Sequence, residues 1–527
     1  MARRGRRPRR ADGKISATNA DGSGGTVDTQ AAQLAFGKHA AVYAGRWNLS
    51  TPEFTIDDAA ARALQRSLNA GTSVNVSTTG ATGDLGVASN LTRQGPASLT
   101  LAAYHNVSVT SGTTIANTGA GNLTLRADAS GIDNGGGVIN NGTIDWSASR
   151  GIVSALYDMT STYEPGTNLS NSGWTATPDS GLVTQITYYL LVNSLDDPNK
   201  VTAVGNYALG KDIDATPPSG AFDSPIGGPL GGPLGGPFGS PFFGQFDGMG
   251  HTISHVNLSS ASGLFPTIAF GGVVRNLTVE GSVSTADYAV DAGILAGLNE
   301  GTIAAVHTSG SIASTGLYGA TGGLVGLNSG TITRSSSTAD VSSRGSAGGL
   351  VGTNGFGVLR QSFSSGDVTS TGPNIGGLVG YNFGLLTQSY ATGAVHVPPQ
   401  CDTVNACGGG LAGTNSGTIS QSFATGRIDQ PSGPAGGPGG VVDLNINYVP
   451  PPATITDDVY WNIETTGATV GVRSTAFGAL PGGAQGLTTV QMSTPSSFGP
   501  TYDFGPGGVW AMPAGAAHPV LQWQLAQ

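Results

Sequence analysis

The chain of 527 residues is rich in glycine and poor in charge. Glycine supplies 86 residues, while Lys, Arg, Asp and Glu together make only 10% of the chain, against about 25% in an average globular protein. Hydrophobic residues still reach 38%, and they are mostly Val, Ile, Leu and Ala spread among Thr, Ser and Asn. This mixture excludes a wholly disordered chain and favours half-buried strands, so we expect a β-rich solenoid or barrel.

The charge is unevenly distributed along the chain. The net charge is −10, yet residues 1–14 hold seven of the 22 basic residues and one of the 32 acidic ones. The acidic remainder repels phosphate backbones, so nucleic acid is not an expected partner. No window approaches the roughly 18 consecutive apolar residues of a membrane span, so none is predicted.

Residues 1–14, "MARRGRRPRRADGK", are predicted to be a basic, disordered N-terminus. A secretory signal needs an apolar core of about 7–15 residues after its basic region, and here "ISATNADGSGG" follows. No signal peptide is therefore recognised in this stretch. The paired arginines resemble those of twin-arginine signals, but the same apolar core is missing.

Residues 15–195 are predicted to form a first series of short strands. Stretches such as "SVNVSTTG" and "NLTLRAD" alternate apolar and polar residues with the period of two that strands require. The segment 57–69, "DDAAARALQRSLN", is instead typical of a helix, with an acidic start and Leu64 and Leu68 four residues apart. We expect this helix to pack on the solenoid as a side element.

Residues 196–260 are predicted to connect two β regions. Within them, residues 216–244 contain "PIGGPLGGPLGGPFGSPFFG", and such a Gly/Pro tract supports neither a helix nor a central strand. We expect an exposed loop or hinge there.

Residues 261–445 repeat one motif, "GGL(V/A)G", at nearly constant spacing. Weaker copies at Gly263, Gly293 and Gly440 extend the series, and the spacings run from 26 to 33 residues. Each copy is therefore expected to form one coil of a solenoid, with loops absorbing the insertions. The repeat glycines of the four strong copies are Gly323, Gly349, Gly377 and Gly410.

Three further columns run through these copies. Two are apolar and are expected to stack into one continuous core; they read Ile294, Leu324, Leu350, Leu378, Leu411 and Ile303, Ile332, Leu359, Leu386, Ile419. The third consists of asparagines, which tolerate left-handed turns and can hydrogen-bond to one another along a stack. It reads Asn299, Asn328, Asn354, Asn382, Asn415.

An aromatic column is also present, at Phe363, Tyr390 and Phe423, where earlier copies have His307 and Ser336. Such a column is either a sugar-stacking stripe on the outside or stacking between coils, and we favour the structural interpretation.

Residues 446–527 leave the repeat pattern and are predicted to be a C-terminal cap, since a solenoid needs an atypical unit at its open end. The large residues Trp510, Leu521 and Trp523 suit that role.

Cys401 and Cys407 are the only cysteines. Their proximity in a Pro/Gly-flanked loop is compatible with a disulfide in an oxidising compartment or with two reduced thiols. A metal site would need two more ligands, and only Asp402 is close.

Candidate catalytic and metal-binding residues are few. His251 and His255 have a spacing that suits zinc on a helix, but "GMGHTISHVNL" reads as turn and strand, which separates the two side chains. Asp212, Asp214 and Asp247 are the kind of carboxylates that polysaccharide-cleaving β-helices use, yet all three flank turns, where Asp is common. We therefore predict no enzyme, no cofactor, and neither catalytic nor metal residues.

The repeats resemble a known family. The "GGLVGxNxG" copies look like GLUG repeats, and "YALGKDIDAT", "FDGMGHTISHVNL", "VVRNLTVEG", "VYWNIETTG" and "HPVLQWQ" resemble their usual context. The stretch "FTIDDAAARALQRSLNAGTSVNVSTTGATGDLGV" is similar to the passenger region of filamentous-haemagglutinin-like exoproteins exported by two-partner secretion. The resemblance does not extend to the N-terminal secretion domain or to a toxin module.

The resemblance implies a right-handed parallel β-helix (solenoid), which we expect with a short accessory helix and a C-terminal cap. It also implies an adhesin, secreted or on the bacterial cell surface, that binds a host-surface or matrix glycan or protein receptor. A further implied partner is an outer-membrane two-partner-secretion transporter. The alternatives are a β-helical polysaccharide lyase or glycoside hydrolase, and a purely structural protein of the biofilm matrix.

Overall fold

The computed structural model describes most of the chain as two compact units. The first unit comprises residues 1–178, 182–197 and 206–211, and the second comprises residues 179–181, 198–205 and 212–527. The described residues are 9–11, 13–18, 24–194, 201–216, 241–259, 261–286, 289–398, 408–429, 437–448 and 451–526.

The first unit is a parallel β-solenoid of three main ladders. Strands one coil apart pair in parallel, so Val74 lies opposite Leu99 and Val76 opposite Leu101. All four side chains are buried, as expected for apolar residues on the inward face of an alternating strand. The first ladder consists of Thr26–Gln30, Arg46–Thr51, Ser73–Thr78, Leu99–Ala102, Leu123–Arg126, Val153–Asp158, Ile186–Val192 and Asn206–Leu209.

The other strands of this unit follow the same parallel pattern. The second ladder consists of Phe54–Ile56, Leu85–Val87, Val107–Val109, Val138–Asn140 and Tyr163–Glu164; the third of Leu91–Arg93, Thr114–Asn117, Thr143–Asp145 and Thr167–Leu169. Two short pairs precede them: Arg9–Ala11 with Leu34–Phe36, and Lys14–Ala17 with Ala41–Ala44.

The predicted helix is confirmed as Asp58–Asn69. Its N-cap is Asp57, whose carboxylate accepts hydrogen bonds from the backbone N–H groups of Ala59 and Ala60, which satisfies two of the donors that a helix start leaves open. Leu64 and Leu68 are buried, and the helix packs beside strands Ala41–Ala44 and Leu91–Arg93.

The second unit is also a parallel β-solenoid, built from two sheets. We call the sheet of several ladders the outer sheet and the other one the facing sheet. The outer sheet contains Ile213–Asp214, Gln245–Asp247, Thr252–Ser259, Val273–Thr285, Thr302–Ser314, Thr331–Thr333, Ser336–Ser337, Asp340–Ser343, Val358–Arg360, Phe363–Ser364, Val368–Ser370, Leu385–Thr387, Tyr390–Ala391, Val395–His396, Thr418–Ser420, Phe423–Ala424, Ile428–Asp429, Thr454–Ile455, Tyr460–Asn462 and Gln485–Leu487.

The facing sheet carries the repeat motif itself. It contains Phe265–Ile268, Ala292–Gly293, Ala296–Asn299, Ala320–Gly322, Val325–Asn328, Ser346–Gly348, Val351–Asn354, Ile375–Gly376, Val379–Asn382, Gly408–Gly409, Ala412–Asn415, Gly439–Ile446 and Val470–Ala476. Short C-terminal elements complete the unit: the helical turns Thr489–Met492, Pro495–Ser497 and Gln522–Ala526, and the antiparallel strands Trp510–Ala511 and Val520–Leu521.

Both predicted apolar columns form the core of the second unit. Every member of the two columns is fully buried, and in the second column Ile332 pairs with Leu359 and Leu359 with Leu386. The repeat glycines stand where successive coils approach closely. A Cβ atom at Gly377 would lie 2.3 Å from the carbonyl oxygen of Gly410, closer than any side chain tolerates, so glycine is required there.

The predicted asparagine column is a continuous chain of buried amides. Each Nδ2 donates to the Oδ1 one coil further on, from Asn299 to Asn328, Asn354, Asn382, Asn415 and finally Asn445, over 2.7–2.8 Å. All six side chains are buried. We call this row the amide ladder; it satisfies polar groups that would otherwise be costly to bury.

The "QS" dipeptides of the repeats form the next corner of each coil, after the short strand that follows the asparagine. Gln361, Gln388 and Gln421 adopt left-handed backbone angles with φ of 45–51°, which turn the chain between two strands. The serine that follows each glutamine is buried. Its hydroxyl accepts the backbone N–H of the preceding coil's equivalent residue, as from Ser362 to Ser389 over 3.2 Å.

The predicted C-terminal cap is present, and it lies along the side of several coils. Trp510 is fully buried, with its ring centroid 5.6 Å from that of Phe423. Gln524 accepts a hydrogen bond from the Tyr390 hydroxyl. The parallel β-solenoid with a short accessory helix and a C-terminal cap is thus confirmed. In the part of the chain that the structure describes, no helix has the length and apolar character needed to cross a bilayer.

Candidate functional site

The carboxylates considered for polysaccharide cleavage do not converge on one site. Asp247 is buried and forms an ion pair of 2.5 Å with Arg275. The side chains of Asp212 and Asp214 are 76% and 64% exposed. Hydrogen bonds from the hydroxyl and backbone N–H of Thr216, together with one from His255, lower the pKa of Asp214 to about 2.

The pKa of Asp212 is also lowered, first by the backbone N–H of Thr252 and then by His251. A cleavage site of the two-carboxylate type needs one acid that stays protonated near neutral pH. Two carboxylates with lowered pKa values do not supply one. Asp212 therefore accepts hydrogen bonds from the neighbouring coil, at Thr252 and His251, and Asp214 accepts them from Thr216 and from His255 of that coil.

His251 and His255 lie on strand Thr252–Ser259 and its preceding turn, as the sequence indicates. Each pairs with a different aspartate: His251 Nδ1 is 3.1 Å from Asp212 and His255 Nδ1 is 2.8 Å from Asp214. Among the described residues, neither histidine belongs to a group of three ligands close enough to share a metal ion. Cys401, Cys407 and residues 217–240 of the Gly/Pro tract lie outside the described residues.

The rings of the aromatic column stack between coils, and the C-terminal cap covers them. The rings of Phe363, Tyr390 and Phe423 are parallel to within 4°, with centroids 4.9–5.0 Å apart. Trp523 and Trp510 cover the column from outside. Tyr390 and Phe423 are buried, so this column is not an open binding stripe, and the burial raises the pKa of Tyr390 well above its ordinary value.

One acidic cluster escaped the sequence analysis. Asp128, Asp133 and Asp158 of the first unit bring carboxylate oxygens within 4.8 Å of one another. Carboxylates of this kind could hold Ca²⁺. Asp128 and Asp158 meet because the strand register places Arg126 opposite Leu156, and each aspartate lies two residues further along its own coil.

The two buried carboxylates of this cluster already have hydrogen-bond donors on every oxygen. Asp128 accepts from the backbone N–H groups of Ile132 and Asp133 and from the amide of Asn193. Asp158 accepts from Thr160 and from the backbone N–H of Gly135. The cluster therefore holds the turn that follows strand Leu123–Arg126.

A second unforeseen feature is a row of aromatic residues at the turns beside the amide ladder. We call it the aromatic edge, and it consists of Phe356, Tyr381, Phe383, Tyr448 and Phe477. Phe356 follows Asn354 by two residues, and Tyr381 and Phe383 flank Asn382. Tyr448 follows the ladder's last member, Asn445, and Phe477 lies on the next coil. The solenoid therefore aligns them along one series of turns, in two groups separated by the coil of Asn415, which has Ser416 at this position.

The rings of the aromatic edge form two contacting groups, and three of the five rings are largely exposed to solvent. Tyr381 and Phe383 stack with centroids 3.9 Å apart, and Phe356 lies 5.9 Å from Phe383. Tyr448 and Phe477 form an edge-to-face pair at 6.3 Å. Phe356 and Phe477 are each 73% exposed and Tyr448 is 69% exposed, although large aromatic side chains are normally buried.

Two of these aromatic residues also have strained backbones. Phe356 has a φ of 68° and Phe477 a φ of 51°, in the left-handed region that bulky residues avoid at a cost of roughly 1–2 kcal/mol. Glycine holds the comparable position at Gly271, with a φ of 85°. Gln361, Gln388 and Gln421 share this backbone region at structural corners, so exposure is what sets Phe356 and Phe477 apart.

A shallow cavity lies between two of the rings. Its volume is about 170 Å³, and no charged residue is among those that line it. The lining is aromatic, aliphatic and hydroxylated, contributed by Phe356, Phe383, Leu385, Ser416, Thr418 and Pro451, with two glycines.

Sequence comparison of the repeats overlooked this row because its members do not align. Phe356 sits in a copy with one extra residue at the turn, "NGFG", whereas Phe383 sits in "NFG". The recurring signal is an aromatic residue next to glycine directly after the asparagine column. A search for that pattern would have found Phe356 and Phe383 but not Phe477, whose coil has Thr475 at the position of the asparagine.

Comparisons with known proteins do not assign the chain to a family. No protein-family model matches the sequence, and neither does any curated protein. Among solved structures, the chain is similar to one described as a "putative immunoglobulin A1 protease" from Bacteroides ovatus. The TM-score is 0.35, with 16% identity over 65% of this chain and 94% of that one. Such a score carries no argument about function.

Proposed function

We propose that this chain is a secreted or cell-surface bacterial adhesin-like exoprotein. It attaches to host surfaces, matrix or other cells through many non-catalytic contacts. The observation that carries the proposal is the aromatic edge, which places five rings along one series of turns and exposes three of them, two with left-handed backbones. The resemblance to GLUG-repeat exoproteins supports the same function.

The solenoid supplies the mechanism. Neighbouring strands lie about 4.8 Å apart, so residues on successive turns meet an extended partner at regular intervals. Each ring contributes little, but contacts held on one scaffold add through effective concentration. In this proposal the receptor is a glycan or protein of the target surface. The transporter of two-partner secretion exports the chain, as it exports the exoproteins that the chain resembles.

The test uses beads coated with the purified chain and scored for attachment to mammalian cells and to biofilm matrix. The variant to compare carries Phe356→Asn, Phe383→Ser and Tyr448→Ser. Serine is the residue at the turns of other coils, at Ser329 and Ser416, so the variant is expected to fold. Phe270→Ser is the matched control, because Phe270 is 85% exposed at the same kind of turn but distant from the other rings along the ladder.

Adhesion predicts that the triple variant loses most of the attachment and that the Phe270→Ser control keeps it. Equal attachment of all three proteins would contradict the proposal. It would favour instead a structural protein of the biofilm matrix.

A further inference from the structure

We propose that the partner of the aromatic edge is an uncharged polysaccharide chain, held by stacking of its sugar rings on Phe356, Phe383 and Tyr448. This inference rests on the proposed function and names its receptor class. It assigns a binding surface to the turns beside the amide ladder of the second unit.

The shape of the surface suits a sugar ring. The face of an aromatic ring carries partial negative charge, and the C–H groups on one face of a pyranose carry the opposite partial charge. Tyr381 and Phe383, stacked at 3.9 Å and 23°, form one rigid support, and Phe356 stands beside it at an angle of 37°. In this proposal one face of a pyranose ring rests on this tilted pair.

The size of the cavity points to one ring of a longer chain. Its volume of about 170 Å³ lies below the roughly 300–1,000 Å³ of sites that enclose a drug-sized ligand. Further rings at Tyr448 and Phe477 lie along the same edge. A polymer that crosses several coils would contact these rings in succession.

The polar groups at the edge are neutral. Hydroxyl groups of Ser416 and Thr418 line the cavity. Burial raises the pKa of Tyr381, and the neighbouring Tyr448 raises it further, so the Tyr381 phenol stays protonated at neutral pH. Such groups match the hydroxyls of a neutral sugar, which both donate and accept hydrogen bonds.

Charge argues against an anionic partner. The chain carries a net charge of −10, and no charged residue lines the cavity. A sulfated or uronic-acid polymer would meet repulsion without a compensating cation. Protein-binding surfaces, for their part, commonly use arginine beside their aromatic residues, and the aromatic edge contains none.

The experiment is affinity electrophoresis of the purified full chain in gels that contain a polysaccharide. Soluble starch, dextran and hydroxyethyl cellulose serve as uncharged probes, and heparin and alginate as anionic ones. The acidic chain migrates at neutral pH, and binding appears as retardation. The variants are Phe356→Asn, Phe383→Ser and Tyr448→Ser, each made singly, with Phe270→Ser as the matched control.

The expected result is retardation by at least one uncharged polymer and by neither anionic polymer. Each edge variant weakens binding about tenfold, the effect of losing one aromatic contact, and Phe270→Ser does not. Phe356→Asn is informative about folding as well, since Asn accepts the left-handed backbone. Its melting temperature should equal or exceed that of the wild type while its binding falls.

Several results would overturn the inference. They are absence of retardation by every uncharged polymer, preference for heparin or alginate, and equal retardation of edge variants and wild type. Self-association of the wild type that the edge variants abolish would assign the surface to a second copy of the chain. Bead attachment that depends on the edge without any polysaccharide binding would keep the adhesin and reject the glycan. Polysaccharide binding without bead attachment would keep the glycan as the partner and reject the adhesin.

Discussion

The indole of Trp523 stacks on the imidazole of His307, with ring centroids 5.3 Å apart and planes 27° apart. The same indole lies 5.9 Å from Phe363, although the coil between these two residues presents only Ser336. Trp523 therefore fills the gap that serine leaves in the aromatic column. Its Nε1–H donates to the backbone carbonyl of Gln361 over 2.9 Å, which anchors the C-terminal segment.

This contact predicts that acid releases the C-terminal segment. Burial lowers the pKa of His307 from 6.5 to about 4, and burial also lowers the pKa of His518, which packs against Tyr390 and Phe423. The released state binds more protons than the docked state below pH 6.5. Docking is thus most stable above that pH and weakens as the pH falls toward 4.

Tryptophan fluorescence and limited proteolysis of the C-terminal segment between pH 7 and 4 measure this release. The variant His307→Phe keeps a ring and removes the titrating group, so it should shift release to lower pH. Adding His518→Gln should shift it further. A double variant with the same pH profile as the wild type would contradict the role of both histidines.

The amide ladder predicts that replacing one of its asparagines lowers the free energy of unfolding substantially. Asn354→Ala removes the acceptor of Asn328 and the donor to Asn382, both of which are buried. Two unsatisfied amide groups should lower the free energy of unfolding by about 2–5 kcal/mol, measured as a shift of the urea midpoint. Thr353→Ala, one residue earlier and partly exposed, should change it by less than about 0.5 kcal/mol. Similar midpoints for the two variants would show that the ladder adds no stability.

The close approach of coils at the repeat glycines predicts that glycine-to-alanine changes differ in their effect on stability from one position to another. In Gly377→Ala the new methyl group would overlap the carbonyl oxygen of Gly410 at 2.3 Å, so we expect destabilisation of about 2–3 kcal/mol. A Cβ atom at Gly437 would meet no atom within 4 Å, so Gly437→Ala should be nearly neutral. Thermal unfolding followed by circular dichroism compares the two, and a neutral Gly377→Ala would refute the predicted overlap.

The acidic cluster predicts insensitivity to calcium. Hydrogen-bond donors already occupy both oxygens of Asp128 and of Asp158, so neither a chelator nor millimolar Ca²⁺ should move the melting temperature. Asp128→Ala should destabilise the first unit, because it removes the acceptor of two backbone N–H groups and the Asn193 amide. A calcium-dependent rise in melting temperature would instead make the cluster a metal site.

The core of the repeats could be predicted because the same core residues recur in every copy. Leu378 and Asn382 recur at fixed offsets from Gly377, and one copy fixes the environment of the next. The helix was equally accessible, since Asp57 and the spacing of Leu64 and Leu68 are local signals. Stacking within the aromatic column followed from the same periodicity.

Two features lay beyond that reasoning. The docking of Trp523 on Gln361 joins residues 162 positions apart, and no repeat or local preference encodes such a contact. The aromatic edge was missed for a different reason. Phe356 occupies a turn with an inserted residue, and its left-handed backbone runs against the preference of phenylalanine. Function is where a sequence most often departs from the rules that specify its fold.

The most direct test of the account is hydroxyl-radical footprinting of the full chain, free and bound to the surface to which coated beads attach. Modification of Phe356, Tyr381, Phe383, Tyr448 and Phe477 should fall on binding. Modification of Tyr318, which is 71% exposed and lies outside the edge, should not change. Protection of Tyr318 with unaltered labelling of the edge would place the binding face elsewhere and contradict the account.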